Sequence, residues 1–231
     1  MFSQAPGVLK PPLVVIPAYR AAQYLPELLD RLAKIHPPEH TLAVNDGSPD
    51  NTAAVLARSG VRYLSHSRNQ GKGTALKNGC RWAKAHGYRA VVSMDADLQH
   101  APEELVGLLV AHAKNPAAVI IGSRMIDHRV MPWDRMLSNN LTSIIISVYC
   151  GQRVRDSQSG YRLIPLDAIA RIPTRTVGYM YESESLQKLG ALGVRLRSAP
   201  ISTIYEGAVS FINPLRDSLR FIKLIWRRLW Y

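Results

Sequence analysis

Cysteine is scarce: the 231 residues hold two, Cys80 and Cys150, far apart in the chain. With no CxxC or Cys/His spacing, they support neither a disulfide framework nor a zinc site. A reducing, cytoplasmic setting is the expectation. Long apolar runs are missing as well. The best candidate, Leu141 to Cys150, is interrupted by Thr142, Ser143 and Ser147, and is about half the length that spans a bilayer. Met1 to Pro12 holds three prolines and no apolar stretch of the length a signal peptide needs. Any work at a membrane is therefore expected to be done from its surface. Acidic residues are in deficit, 17 against 29 lysines and arginines, for a net charge of +12. Residues 1–121 carry 13 basic and 9 acidic groups, residues 122–231 carry 16 and 8. Such an excess attracts nucleic acid, anionic lipid or phosphorylated substrates and does not choose among them. The Walker A spacing and the GxGxxG fingerprint with its ribose-binding acid are both absent.

What is present suits one large domain, or one domain with an appendage. The apolar share is 47% and the mean hydropathy −0.07. Strand-like runs at Leu13–Ile16, Thr41–Asn45, Val61–Ser65, Ala90–Asp95 and Ala117–Ile121 alternate with helical stretches at Tyr24–Lys34, Asn51–Arg58, Thr74–His86 and Pro102–Ala113. That alternation predicts an α/β fold, a mainly parallel sheet with helices on both faces. Right-handed crossovers then collect the strand C-termini along one ligand-binding edge. The second half is less regular: a helix over Arg135–Cys150, a polar stretch from Arg153 to Gly160, a short strand at Tyr161–Ile164, a helix over Tyr181–Leu192 and an extended run over Val194–Ile204.

Four polar clusters sit where the predicted strands end: Pro17-Ala18-Tyr19, Asn45-Asp46-Gly47-Ser48, Asn69-Gln70-Gly71-Lys72-Gly73 and Asp95-Ala96-Asp97-Leu98-Gln99-His100. An apolar strand ending on Asp95 and Asp97 with Gln99 presents hard oxygen donors, which suit Mg²⁺ or Mn²⁺ shared with substrate phosphates. Taken alone, an Asp-x-Asp also serves as a helix cap. Asp46 either makes a turn or accepts hydrogen bonds from a base or ribose. The glycines flanking Lys72 let backbone approach an anion, and the helix that follows offers N–H groups to it.

Together these clusters resemble the family 2 glycosyltransferases of the GT-A fold, in particular the dolichol- or polyprenol-phosphate sugar transferases. The resemblance is carried by VVIPAY, VNDGSPDNT, NQGKGTALKNG, MDADLQHAPEEL, GSR, DSQSGYR and YESE, over residues 13 to about 185. It implies a Rossmann-like sheet and a nucleotide site lined by Pro17, Tyr19, Asp46, Lys72, Asp95 and Ala96. A divalent cation, Mg²⁺ or Mn²⁺, would be held by Asp95, Asp97 and Gln99. It also implies that Arg124 and Arg135, with Asn139, face the sugar or acceptor phosphate, and that Asp97, Arg124 and Arg135 serve catalysis. Ser159, Gly160, Tyr161 and Arg162 would form the acceptor-side loop, joined there by the acidic pair Glu182 and Glu184. One departure is that Arg20-Ala21 follows Tyr19 where many members have Asn-Glu.

The activity so implied is inverting transfer of a sugar from a nucleoside-diphosphate sugar to a lipid phosphate. A phosphate acceptor arrives ionised, whereas a hydroxyl acceptor needs a general base. His100 is expected to pack or cap rather than act as that base. Two alternatives stand beside this one: a soluble transferase to a hydroxyl of a glycan, lipid or protein, and a basic nucleic-acid-binding protein, which shows no recognised motif and leaves the acidic cluster unexplained. Nucleic acid is accordingly not an expected partner. Residues 1–210 are expected to form the GT-A domain and 211–231 a basic amphipathic helix. Leu215, Leu219, Ile222, Trp226 and Leu229 form one stripe, and Arg216, Arg220, Lys223 and Arg227 repeat it one residue later. That pattern suits an interfacial helix on anionic lipid, placing the enzyme peripherally at the inner, cytoplasmic face of the membrane. The alternative is a terminal helix packed on the domain with its basic side in water, and the basic excess and the resemblance to lipid-linked enzymes favour the membrane surface.

Overall fold

Strand β1, Leu13–Ala18, shows why the strands read as continuous apolar runs. Leu13 and Val15 enter one core with Leu42, Val44 and Val91, while Val14 and Ile16 enter another with Ala43 and Val92. A strand buried on both faces loses the polar half of its alternation. The computed structural model describes residues 10–124, 133–178 and 180–202. In chain order the elements are β1, α1 (Leu25–Ala33), β2 (Thr41–Asn45), α2 (Thr52–Arg58), β3 (Arg62–Ser65), α3 (Lys72–Ala85), β4 (Ala90–Ser93), α4 (Leu105–Lys114), β5 (Val119–Ser123), α5 (Trp133–Cys150), β6 (Arg162–Pro165), α6 (Leu166–Ile169), α7 (Met180–Ala191) and β7 (Leu196–Pro200). Helices α3, α5, α6 and α7 contribute to the first core, α1, α2 and α4 to the second. Helix α1 shows the sequence logic: Leu25, Leu28, Leu29 and Leu32 fall on one face and all four are buried.

The sheet order is β3-β2-β1-β4-β6-β5-β7. All pairings are parallel except those of β6 with β4 and β5. The chain runs outward from β1 to β3 and then returns across β1 to β4, so a crevice opens between the C-terminal ends of β1 and β4, the place where open α/β sheets bind ligands. Strand β6 runs the other way, with Arg162 opposite Ser93. The loop leading into β6 therefore arrives at the same edge at which β4 ends.

Several boundaries differ from the sequence expectation. Strand β4 stops at Ser93, leaving Asp95 in a turn. Helix α3 begins at Lys72, two residues early, which makes the lysine its first residue. Residues Pro102–Glu104 form a 3₁₀ turn before α4. Strand β5 is shifted two residues forward, because Gly122 and Ser123 pair with Ala199 and Pro200. Of the extended run Val194–Ile204, Leu196–Pro200 is strand, while 203–204 and the helix expected over Pro214–Tyr231 lie outside the described residues.

Candidate active site at the sheet switch point

At the end of β4 the chain turns through Asp95, Asp97 and a left-handed Leu98 with φ of 59°. Lys72 reaches this turn from the start of α3. Its Nζ lies 2.5 Å from Asp95 Oδ1 and 3.0 Å from Glu182 Oε1. Burial would lower the lysine pKa, but the two carboxylates outweigh it and hold the ammonium charged. Burial likewise disfavours Asp95 as an anion, and the Lys72 charge reverses the balance, so its pKa falls below the ordinary value. Asp97 has no such partner. Burial and the neighbouring Asp95 charge push its carboxyl up to about 6, and Oδ1 accepts a 3.1 Å hydrogen bond from the Gln99 amide. His100 is buried beside Tyr161, with ring centroids 5.7 Å apart, and burial and Arg124 lower its pKa to about 4. This is the packed histidine expected from the sequence.

Among the described residues no three His, Cys, Asp or Glu groups converge to hold a metal by themselves. The donor set instead suits a cation that the protein only half encloses: two carboxylates and an amide, completed by ligand oxygens. The raised Asp97 reflects burial first and the Asp95 charge second, and a divalent cation beside it would favour its ionised form.

Asp46 ends β2 as expected, but it faces inward. It is 3% exposed. Oδ1 accepts from Gln70 N at 2.9 Å and Oδ2 from Gly71 N at 2.7 Å. The Thr74 amide donates to Val177 O at 3.1 Å. The glycine-rich turn is thus corrected from the sequence reading: the anion its first amides cradle is the protein's own Asp46. Gly71 adopts φ of 92°, and a Cβ there would lie 2.6 Å from Val177 O. The turn needs glycine because the 174–178 segment lies against it. Tyr19 is 44% exposed at the end of β1, with Arg20 over its ring at 5.5 Å. Ala96 is buried in the second core, and Pro17 lies on β1 opposite Val44.

Arg124 follows β5 and forks onto Asp156, with Nε and Nη2 at 2.8 and 3.0 Å from its two oxygens. Asp156 is fully buried. Burial opposes its ionisation, and the Arg124 charge outweighs that and lowers its pKa. Asn139, expected on the acceptor side, is instead 2% exposed and donates to Asp156 at 3.0 Å. One turn along α5, the Ser143 hydroxyl accepts from Ser157 N at 2.9 Å and the Ser147 hydroxyl from Val154 N at 2.8 Å. These hydroxyls anchor the 154–157 loop. Arg135 lies on α5, and the segment joining it to Arg124 is outside the described residues.

Two more expected acceptor contacts turn out to be internal fasteners. Arg162 is 1% exposed and donates to the carbonyls of Ser157, Ser159 and Glu182, each at 2.7 Å. It lies beneath the acceptor-side loop and clasps it. Ser159 is itself buried, its hydroxyl accepting from Tyr161 N at 3.3 Å. Gly160 passes directly over the Asp95–Lys72 pair, where a Cβ would lie 2.8 Å from Lys72 Nζ.

Glu184 accepts from the amides of Arg175 and Thr176, from the Thr176 hydroxyl at 2.6 Å, and from Lys188 at 2.5 Å. Of the acidic pair only Glu182 therefore reaches the crevice. Burial pushes the Glu184 carboxyl up, but these donors bring it down to about 2. Its folded pKa lies below the unfolded value, so its stabilisation is present above about pH 4.5 and is lost as pH falls toward 2. Glu184→Gln is expected to lower unfolding free energy by ~3 kcal/mol at pH 7, with the gap to wild type roughly halved at pH 3 and closing as pH falls below 2. Urea midpoints across that range measure it. A gap that does not change with pH would sink this account.

The structure brings Lys72, Asp95, Asp97 and Glu182 to one crevice, with Gln99 in the same turn through its amide and Tyr19 at the end of the adjacent β1. Sequence reasoning missed Asp156 and His66, whose roles appear only through partners far along the chain. A sequence signal did exist for the loop anchor, since Asn139, Ser143 and Ser147 recur every four residues on an apolar helix.

At the switch point of this mainly parallel α/β sheet, Lys72 bridges the carboxylates of Asp95 and Glu182. The chain belongs to Glycosyl transferase family 2, whose sequence profile matches residues 13–173, and it is a glycosyltransferase. It is 32% identical over 202 residues to the polyprenol monophosphomannose synthase of Mycolicibacterium smegmatis, covering 82% of this chain and 76% of that protein. It is 30% identical over 203 residues to the undecaprenyl-phosphate mannosyltransferase of Micrococcus luteus, covering 83% of each. The fold matches that of glucosyl-3-phosphoglycerate synthase from Mycobacterium tuberculosis, solved with Mn²⁺, uridine diphosphate and phosphoglyceric acid, with a TM-score of 0.71, 19% identity and coverage of 93% and 77%. The GT-A architecture expected from the motifs is thereby confirmed.

Proposed function

We propose that this enzyme transfers a sugar, with inversion, from a nucleoside-diphosphate sugar to a polyprenyl phosphate. The observation that carries it is the crevice cluster: Lys72 paired with Asp95 and Glu182 at the C-terminal end of β4, with the buried Asp97 carboxyl in the same turn. The acceptor class is supported by the relatives, both polyprenyl-phosphate enzymes by name. Pro17, Tyr19, Lys72, Asp95 and Ala96 surround the nucleotide in this reading, while Asp46 holds the turn that leads into Lys72. Asp95, Asp97 and Gln99 hold Mg²⁺ or Mn²⁺, which when bound neutralises charge on the diphosphate as a Lewis acid. Lys72 adds a second positive charge beside the leaving group. Arg124, set by Asp156, and Arg135 face the acceptor phosphate, and Ser159 with Glu182 shapes the loop between the two substrates. His100, lowered to about 4, is a poor base; an ionised phosphate needs none.

Among the described residues no helix is long and apolar enough to cross a membrane. In this proposal the basic sequence of residues 211–231, which lie outside the described residues, is drawn to anionic lipid at the cytoplasmic face and holds the enzyme beside its acceptor. The test compares initial rates on anionic vesicles carrying a polyprenyl phosphate or the matching free polyprenol. The phosphate is expected to react at least a hundredfold faster, and the protein to co-sediment with the vesicles in a salt-sensitive way. Equal rates would favour a hydroxyl acceptor and overturn the assignment.

A further inference from the structure

We propose that His66 is a positioning residue for the donor site: through Asp46 it fixes the Gln70–Gly71 turn and so sets Lys72 against Asp95. His66 follows β3, and its amide donates to Asn45 O at 2.9 Å, extending the β2–β3 ladder by one step. Nδ1 lies 2.6 Å from Asp46 Oδ1, with side-chain exposures of 8% and 4%. On the other side of the ring, Nε2 lies 2.7 Å from Asn78 Nδ2 on α3. Asn78 Oδ1 is occupied by Arg81 Nη2 at 2.6 Å, so the amide nitrogen faces the ring and donates to it. The ring proton therefore sits on Nδ1 and is donated to Asp46.

Asp46 then holds the Gln70 and Gly71 amides with its two oxygens, and Gly71 immediately precedes Lys72. A second feature shows that this stretch is meant to lie close: Gly47 has φ of 63°, and a Cβ there would come within 2.6 Å of Arg68 Cα and Asn69 N. Three elements thus meet on one carboxylate, the ends of β2 and β3 and the turn that opens α3, and the second turn of α3 braces the ring from its far side. Without the ring donor the Asp46 carboxylate keeps only its two amide bonds, loses the short bond that sets its orientation from the β3 side, and the turn gains freedom to shift with it. A shift of a few tenths of an ångström in the turn carries directly to the Lys72 ammonium, and reaction rates and ligand binding are sensitive to displacements of that kind.

The test uses two near-isosteres of histidine. The side-chain amide of asparagine places a donor close to Nδ1, whereas that of glutamine places one close to Nε2. His66→Asn keeps the contact to Asp46, and His66→Gln keeps the contact toward Asn78 and loses the one to Asp46. Amide exchange at Gln70 and Gly71 is followed by NMR, and KM and kcat are measured with UDP-glucose and GDP-mannose. His66→Gln is expected to speed exchange at those two amides at least tenfold and to raise donor KM about tenfold, with kcat within twofold. His66→Asn is expected to stay within twofold of wild type on every measure. Equal behaviour of the two variants, or unchanged exchange in His66→Gln, overturns the inference. The kinetic consequence rests on the donor proposed above. If wild type turns over neither nucleotide sugar, that reading fails, and the exchange measurement still decides whether His66 sets the turn.

Discussion

Asp97→Asn is expected to cut turnover more than a hundredfold while leaving the melting temperature unchanged or higher. The two effects have one origin. Asp97 is held in the fold with a carboxyl raised to about 6, by burial first and by the Asp95 charge second. Its unfolded value is near 3.8, so between these values the folded chain binds the proton more tightly. The ionised side chain therefore costs stability at neutral pH, and that cost shrinks as pH falls below about 6 and is gone below about 3.8. An amide of the same shape removes it permanently. Activity runs the other way, because the proposed cation needs the anion. Wild-type turnover should fall as pH drops below about 6, and added Mg²⁺ or Mn²⁺ should move that fall to lower pH, since metal competes with the proton. Loss of about 3 kcal/mol of transition-state stabilisation is already more than a hundredfold in rate. Steady-state kinetics and calorimetry on the same preparation check both halves. Near-normal turnover of the folded variant, or full wild-type activity in excess EDTA, would falsify the role given to Asp97.

That residue was legible in the sequence because an apolar strand ending on two carboxylates is chemically conspicuous. The parallel part of the sheet was legible for a related reason: strands β1, β2 and β4 are buried on both faces and read as unbroken apolar runs. The antiparallel β6 was recognisable as a strand, but its direction was not, because direction depends on which neighbour the strand meets. Polar residues divide in the same way. Asp46, Arg162 and Glu184 carry the residue types that a ligand site needs, in the places a ligand site needs them. Each turns inward because a backbone segment 8 to 25 residues away offers it amides or carbonyls. Nothing local in the chain distinguishes an arginine that will meet a phosphate from one that will meet three carbonyls.

Arg162→Met tests that distinction, and it is expected to lower stability by ~3–5 kcal/mol. Methionine matches the length of the arginine stem and its burial, so little packing is lost. What goes is the donor set. The carbonyls of Ser157, Ser159 and Glu182 each accept a 2.7 Å bond from the guanidinium, and each, left buried and unpaired, costs about 1–3 kcal/mol. The charge matters as well. Burial works against the guanidinium, while Glu182, Asp156 and Asp95 around it favour its charged form. Removing it leaves those carboxylates facing one another with less compensation. An apolar swap is harmless only when both sides of a buried polar cluster are replaced together, and here the carbonyls are backbone and stay. Arg162→Lys should fall between the two, since one ammonium cannot reproduce the planar fork that meets three separate acceptors. Urea midpoints measure the stabilities, and a methionine variant that unfolds with wild type would overturn the clasp. Activity adds a second reading. The loop that Arg162 clasps begins at Asp156, which orients Arg124, so turnover in Arg162→Met should fall at temperatures where the chain is still folded. If Arg162 were instead an acceptor contact, the methionine variant would keep its stability and raise only the KM for the lipid phosphate.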